Sequence, residues 1–99
     1  MSDWLELLQE FNCPHTRRGG VTLVARPDAP KCIELIYAQG WRFRGFDSFT
    51  VTSEFIQPHL EWTEDWSRSG APDMQAVLQM IASHPNEVTH YEFVFSRAA

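Results

Sequence analysis

The spacing of hydrophobic and polar residues changes period several times along the chain, and each period predicts one type of element. Apolar residues recur at helical spacing in three stretches, which predicts α-helices over 3–11, 29–39 and 73–83. Apolar and polar residues alternate in four other stretches, which predicts β-strands over 21–26, 41–44, 49–55 and 88–96. Turn-forming residues at 45–48 are expected to join the middle two strands as a hairpin.

The order of these elements predicts a fold. An N-terminal helix within 1–12 and a loop over 13–20 are followed by the order β-α-β-β-α-β, which is that of a ferredoxin-like plait. We therefore expect a single α+β domain over 1–99, with a four-stranded antiparallel sheet and two helices on one face.

Alternation along the strands divides the sheet residues between two faces. The face expected under the helices is apolar and aromatic: Val21, Leu23, Ala25, Trp41, Phe43, Phe49, Val51, Phe55, Tyr91, Phe93 and Phe95. The face expected to be open is polar and carries both signs of charge: Thr22, Val24, Arg26, Arg42, Arg44, Thr50, Thr52, Glu54, His90, Glu92 and Val94.

The connector over 56–72 does not fit the strand and helix pattern, and it is long for a link without structure. No Lys or Arg lies between Glu54 and Asp65, and Trp62 and Trp66 are one helical turn apart. Trp is enriched at the centres of protein interfaces. We expect the partner-binding residues to be Glu61, Trp62, Glu64, Asp65 and Trp66; in the alternative, both indoles cover the protein's own core.

The charge balance favours a protein partner over nucleic acid. Thirteen acidic residues against eight basic ones give a net charge of −5 over 99 residues, which disfavours a broad phosphate-binding surface and favours a basic partner. The expected function is a small non-enzymatic inhibitor that occludes a basic surface of another protein. Phage anti-defence inhibitors and immunity proteins share this size and charge, which is an analogy of class only.

The chain carries no signal of secretion or of membrane insertion. The N-terminus lacks a basic stretch followed by an apolar one, and no apolar run approaches about 20 residues. We expect a cytoplasmic protein of a bacterium or a phage. A homodimer remains open, because an edge strand or the aromatic connector could mediate one.

A second hypothesis places a site on the open sheet face, at Arg42, Arg44, His90 and Glu92. A His beside a Glu can act as acid and base, and two Arg can hold an anion. These residues would suit a small dimeric enzyme or a ligand-binding protein with the site between two sheets.

A third hypothesis is nucleic-acid binding through Arg17, Arg18, Arg26, Arg42 and Arg44. The stretch Arg44-Gly45-Phe46-Asp47-Ser48-Phe49 resembles a strand signature of the RNA recognition motif family, which implies base stacking on an open sheet face. The first and third predicted strands offer that face only Thr22, Val24, Thr50 and Thr52, so the sequence favours the other two hypotheses.

Metal and cofactor sites are not expected. Cys13, His15, His84 and His90 do not follow the ligand spacing of a zinc site, and the chain has no glycine-rich phosphate loop before a helix. We expect Cys13 to be a loop residue and Cys32 to be a small buried hydrophobe of the second helix.

Overall fold

The computed structural model of the protein describes residues 8–10 and 12–96. Two α-helices lie wholly within the described residues, α1 (Ala29–Ala38) and α2 (Met74–Ser83). The strands are β1 (Thr16–Arg18), β2 (Val21–Ala25), β3 (Arg42–Val51), β4 (Ile56–Pro58), β5 (Glu64–Asp65) and β6 (His90–Ser96). Short 3-10 helices cover Arg26–Asp28 and Leu60–Trp62. Most of the N-terminal helix expected over 3–11 lies outside the described residues, and residues 8–10 are helical.

The strands form one antiparallel sheet in the order β1-β2-β6-β3-β4, with β5 paired to β3. Because β6 pairs antiparallel with both β2 and β3, those two strands run parallel with β6 between them. The α+β class with an antiparallel sheet is confirmed. The ferredoxin-like plait is not confirmed, since the described residues form six strands instead of four.

The hairpin expected at 45–48 is absent, because 42–51 is one continuous strand. The glycine that suggested a turn produces a β-bulge instead: Gly45 has φ 140°, and the register with β6 shifts between Phe43 and Gly45. The strand stays extended through its turn-forming residues because it is paired on both edges, with β6 on one and β4 and β5 on the other.

The bulge reverses the expected faces in the second half of β3. Phe43 and Phe46 both lie in the core under the helices, although they are three positions apart. Phe49 is therefore on the opposite face, beside its partner His90. The expectation that Phe49 and Val51 face the helices is wrong, and Phe55, expected there too, is 47% exposed beyond the end of the strand.

The expected faces of β2 are also reversed, whereas those of β6 are confirmed. Val24 pairs with Tyr91 and lies in the core with it, so Leu23 points to the other face. Tyr91, Phe93 and Phe95 face the helices as the alternation predicts.

The stretch expected as a loop before β2 contains β1, which forms a hairpin with β2. Gly19 and Gly20 join Arg18 to its partner Val21, and both glycines have positive φ, 56° and 80°. A two-residue turn of this kind requires positive φ at both positions, which glycine adopts without strain. The paired glycines were a signal for this hairpin in the sequence.

Both helices follow their predicted ranges. The Asp73 carboxylate caps α2 by accepting a hydrogen bond from the Ala76 N–H at 2.9 Å. The side chain of Asp28, which precedes α1, makes no such bond to that helix. The Tyr37 hydroxyl donates to the Pro72 carbonyl at 2.6 Å and so joins α1 to the segment before α2.

Within the part of the chain that the structure describes, no helix has the length and apolar character needed to cross a bilayer.

Candidate functional site

The connector between β3 and α2 has regular structure that its sequence did not predict. It contains β4, the 3-10 helix Leu60–Trp62 and β5, and both strands pair with β3. The single helical turn expected to bring the two indoles together is absent. Strands of three and two residues are too short to show a period in the sequence.

Ser48 of β3 ties the connector to the sheet. The fully buried Ser48 hydroxyl donates to the Trp62 carbonyl, and its N–H donates to the Thr63 hydroxyl at 3.2 Å. The Ser48 carbonyl accepts from the His59 N–H at 2.9 Å. The Thr63 hydroxyl in turn donates to the His59 carbonyl at 2.9 Å. These bonds hold 59–63 in one conformation.

Trp66 belongs to the core and not to the surface. Only 7% of the residue is exposed. Its ring meets Phe43 and Phe46 edge to face, with centroid distances of 5.5 and 5.7 Å. The backbone N–H of Trp66 donates to the Arg44 carbonyl at 2.8 Å. A partner could reach this indole only by opening the core, so Trp66 lies where the alternative expectation put it.

Trp62 is half-buried and packs against the edge of the same core. Its ring centroid lies 5.4 Å from that of the buried His84. The His84 Nδ1 atom is in turn 2.8 Å from the Tyr91 hydroxyl. Trp62 therefore covers the protein's own interior while one part of the ring remains accessible.

The exposed part of the connector is the outer rim of the sheet, residues 54–61, which we call the 54–61 rim. It includes β4, the last strand at this edge, and six of its eight residues are exposed. Leu60 is 85% exposed and Phe55 is 47% exposed. Among the described residues the only other large hydrophobic side chain that is exposed is Val94, so the rim carries two of the three.

Leu60 is the functional candidate that sequence reasoning missed. It stands between two residues that are fixed in place: the backbone of His59 is bound to Ser48, and Trp62 packs on the core. Its signal in the sequence was only an apolar residue within a polar stretch, and solitary exposed leucines are common.

The rim is acidic. Glu54 is exposed, and the Glu61 side chain is 62% exposed. The Glu61 carboxylate lies 3.4 Å from Nδ1 of the buried His59, whose Nε2 atom is 2.5 Å from the Thr50 hydroxyl. The Thr50 hydroxyl also donates to the carbonyl of the exposed Glu87. A third acidic residue thus comes to this edge from the loop before β6.

Glu64 and Asp65, the other acidic residues predicted to bind a partner, are less available for contact with one. Glu64 is half-buried and pairs with Phe46. Asp65 is exposed, but the Ser67 hydroxyl and N–H donate to its carboxylate at 2.7 and 3.0 Å. These bonds lower the pKa of Asp65, and the charges of Arg44 and Arg68 lower it further. The charge of Asp65 is thus partly balanced within the chain.

The second predicted site does not form one cluster. His90 lies opposite Phe49 and Arg42 lies opposite Ser96, at the two ends of β6. Six strand positions separate these ends, which is about 20 Å at the usual rise per residue. Arg42 donates to the Ser67 carbonyl at 2.6 Å. Ser67 lines the same surface depression as Arg44 and Asp65.

His90 and Glu92 do share the open face of β6, each in partial burial. Burial lowers the pKa of His90, and the charge of Arg18 lowers it further. The Glu92 carboxylate accepts from the Thr22 N–H at 3.3 Å. Burial raises the pKa of Glu92, and Asp47 opposite adds to that shift. The assignment of these residues to a catalytic site stays a prediction.

The arginines proposed for nucleic acid binding are engaged within the chain. Arg17 donates to the Thr22 hydroxyl at 2.8 Å, and Arg18 crosses to the Thr52 carbonyl. Arg26 donates to five carbonyl groups around the C-terminal end of α2: those of Ile81, Ala82, His84, Pro85 and Val88. Arg17, Arg18 and Arg26 thus each have a hydrogen-bond acceptor within the chain.

No group of three or more potential metal ligands comes together within residues 8–10 and 12–96. Cys13 lies in a loop as expected, and its side chain is buried in the core with Cys32.

The chain matches no protein-family model. No curated protein and no solved structure is significantly similar to it.

Proposed function

We propose that the protein is a small non-enzymatic binding protein that uses the 54–61 rim to occlude a basic surface of another protein. Leu60 supplies the apolar contact, and the neighbouring Glu61, with Glu54 and Glu87 at the same edge of the sheet, supplies negative charge. The observation that carries the proposal is the 85% exposure of Leu60 on a segment that hydrogen bonds fix to the sheet.

Rigidity is the reason to weigh Leu60 more than an ordinary exposed leucine. A side chain presented by a fixed backbone loses little conformational entropy when it enters a partner's pocket. The buried Ser48 holds both ends of the 59–63 segment, so binding need not order the backbone. The rim is therefore preorganised for contact.

The charge of the chain specifies the kind of partner. The rim has two Glu and no Lys or Arg, and the net charge of −5 has the same sign. Complementary charge accelerates encounter and excludes partners of the same sign. The mechanism is steric occlusion, with no chemical step. The cytoplasmic location and the inhibitor class remain predictions from the sequence.

The rim differs from the contacts expected from sequence in two ways. Trp66 is withdrawn from it, and Leu60 enters it. Glu61 and the accessible part of Trp62 remain. Asp65 and Glu64 lie beyond the rim, where they add to the negative potential without being central contacts.

Site-specific photocrosslinking in native-host cells tests the proposal. A benzophenone amino acid at position 60 is expected to capture a basic protein, whereas the same group at position 94 is not. Val94 is the matched control because it is also exposed but lies on β6, outside the rim. Purified complex is expected to weaken when salt rises from about 0.05 to 0.5 M.

Substitutions complete the test. Leu60→Ser and Glu61→Lys should each weaken binding to the purified captured partner at least tenfold, while Val94→Ser should leave that binding unchanged. Equal crosslinking from positions 60 and 94, or a captured partner that binds Leu60→Ser as well as it binds the unchanged chain, would refute the proposal.

A further inference from the structure

The two cysteines of the chain lie side by side in the core. Cys13 precedes β1 and Cys32 belongs to α1, yet both side chains are in one hydrophobic cluster and both thiols are free. The Cys13 side chain is close enough to that of Cys32 to contribute to its raised pKa. A disulfide bond between the two would have an S–S length of roughly 2.05 Å.

A metal does not account for this pair. A structural zinc ion takes four ligands, usually cysteine and histidine, and no third candidate ligand joins the pair within the described residues. His15 is near in sequence, but its Nδ1 atom is 2.9 Å from the backbone carbonyl of Cys13. Thiol–disulfide chemistry needs only the two sulfur atoms that are present.

The two thiols differ in their access to solvent. Cys13 lines an open surface groove of about 460 Å³, together with Leu8, Gln9, Asn12, Pro14 and His15. Cys32 is fully buried behind it and does not line the groove. A small oxidant in the groove would therefore meet Cys13 first.

The environment of Cys32 suits it to the second step. Burial raises the pKa of the Cys32 thiol well above its usual range, and the neighbouring Cys13 adds to the shift. Cys32 therefore stays protonated and unreactive toward oxidants in solution. It reacts only when Cys13 beside it has become electrophilic.

We propose that Cys13 and Cys32 form a reversible intramolecular disulfide in the presence of a hydroperoxide, which fastens the segment before β1 to α1. This inference does not depend on the proposed binding function, because the pair lies apart from the 54–61 rim in the chain and its argument uses none of the rim residues.

The reaction has two steps. The Cys13 thiolate attacks one oxygen of the hydroperoxide, the O–O bond breaks, and Cys13 becomes a sulfenic acid while the alkoxide is protonated to an alcohol. The Cys32 sulfur then attacks the Cys13 sulfur, the S–O bond breaks, and hydroxide leaves as water with the Cys32 proton. The two thiols lose two electrons and two protons, and the peroxide is reduced to alcohol and water.

The disulfide bond would add a covalent link between α1 and the segment before β1. At present the segment is attached through the buried side chains of Leu8 and Cys13 and through local bonds such as that from the Cys13 N–H to the Leu8 carbonyl at 2.9 Å. A disulfide closes a loop that contains the whole β1–β2 hairpin. Closing such a loop restricts the unfolded chain and so favours the folded state.

The experiment treats the reduced full-length protein with hydrogen peroxide and follows it by intact mass and thiol alkylation. The expected product is a monomer that has lost two hydrogen atoms, has no alkylatable thiol and is restored by dithiothreitol. Its unfolding temperature should exceed that of the reduced protein by at least about 5 °C.

Two variants assign the order of the steps. Cys32→Ala should accumulate a sulfenic acid at Cys13 that dimedone labels, and Cys13→Ala should leave Cys32 unoxidised at the same peroxide dose. If either variant fails to fold, the product of the unchanged chain decides the question. Intermolecular dimers, a Cys13 sulfinic acid beside a free Cys32, no reaction, or a disulfide without the rise in unfolding temperature would each overturn the proposal.

Discussion

Asp47 and Glu92 lie directly opposite each other on β3 and β6, on the sheet face away from the helices. Both are partly buried. Burial raises the pKa of Asp47, and Asp65 adds to the shift. Burial likewise raises the pKa of Glu92, and Asp47 adds to it. Two like charges thus face each other in a place where water screens them incompletely.

This pair predicts that Asp47→Asn stabilises the protein at neutral pH. A carboxyl group whose pKa is raised by folding favours the folded state at low pH, and that contribution disappears as pH rises through the folded pKa. Removing the charge should therefore raise the free energy of unfolding at pH 7 by up to about 1 kcal/mol. Urea denaturation at pH 7 and at pH 3 measures the gain, which should vanish at the lower pH.

Asp65→Asn is the matched control. Folding lowers the pKa of Asp65, so its charge favours the folded state above the unfolded pKa, and its removal should decrease stability at pH 7. If both substitutions change stability in the same direction at pH 7, the assignment of repulsion to the Asp47–Glu92 pair is wrong.

Gly45 of the bulge is expected to resist any side chain. A Cβ atom at this position would lie 2.2 Å from the Glu64 carbonyl oxygen and 3.2 Å from the Asp65 Cα atom, and φ is 140°. Gly45→Ala should reduce the free energy of unfolding by about 3 kcal/mol or more, or detach β5 from β3. Gly40 also has positive φ, 71°, but open space around it. Gly40→Ala should cost about 1 kcal/mol. Equal losses in chemical denaturation would contradict the close approach.

Trp66→Ala should reduce stability far more than Leu60→Ala. Trp66 fills the core against Phe43 and Phe46, so its truncation leaves a cavity and should cost about 3–5 kcal/mol. Leu60 is exposed, and its truncation should change stability by less than about 0.5 kcal/mol. Thermal and urea denaturation of the two variants provide the test. If Trp66→Ala loses little free energy of unfolding, Trp66 becomes a candidate interface residue again.

The sequence predicted the elements whose side-chain pattern is local and long enough to repeat. The ranges of α1 and α2 agree with their helical period, and Tyr91, Phe93 and Phe95 alternate inward along β6 as expected. The first β-α-β crossover, from β2 through α1 to β3, also exists. In the sheet, β6 lies between its two strands.

The errors arose where distant contacts override local preference. The residues around Gly45 are good turn formers, but pairing on both edges of β3 keeps them extended. The bulge then moved Phe49 to the other face, because a shift of one residue reverses every later position. Trp66 is buried by rings of β3, and nothing adjacent to it in sequence indicates that contact. The exposure of Leu60 likewise depends on how Ser48 holds the connector.

His84 should make the protein less stable as pH falls below neutral. Burial lowers the pKa of His84, and the charge of Arg26 lowers it further. The unfolded state, with a pKa of 6.5, therefore binds a proton before the folded state does, and stability is lost as pH falls from about 6.5 toward the folded pKa. The free energy of unfolding, measured from pH 7.5 to 5.5, should fall less steeply in His84→Gln than in the unchanged chain.

Nuclear magnetic resonance titration of the His84 ring checks the same prediction directly. The ring is bonded to the Tyr91 hydroxyl, whose own pKa burial raises to about 12, so the pair should remain neutral at pH 7. A folded pKa of His84 above 6.5, or equal pH slopes for the two proteins, would show that the histidine does not destabilise the fold in acid.

Arg26 is predicted to be the most important cation for stability. Its guanidinium group donates to five carbonyls at the end of α2 and in the following loop, with bonds as short as 2.6 Å to His84 and 2.7 Å to Pro85. Arg26→Ala would remove five hydrogen bonds to these carbonyls, although Ile81 and Pro85 would still accept from the backbone N–H groups of His84 and Val88, and it should cost about 2–3 kcal/mol. Arg26→Lys should recover less than half of that loss, because an ammonium group cannot reproduce the planar fork.

Lys31→Ala, at an exposed position of α1, is the control and should change stability by less than about 0.5 kcal/mol. Urea denaturation of the three variants decides the matter, and a lysine that restores full stability would show that the charge alone, without the geometry of the five bonds, holds this loop.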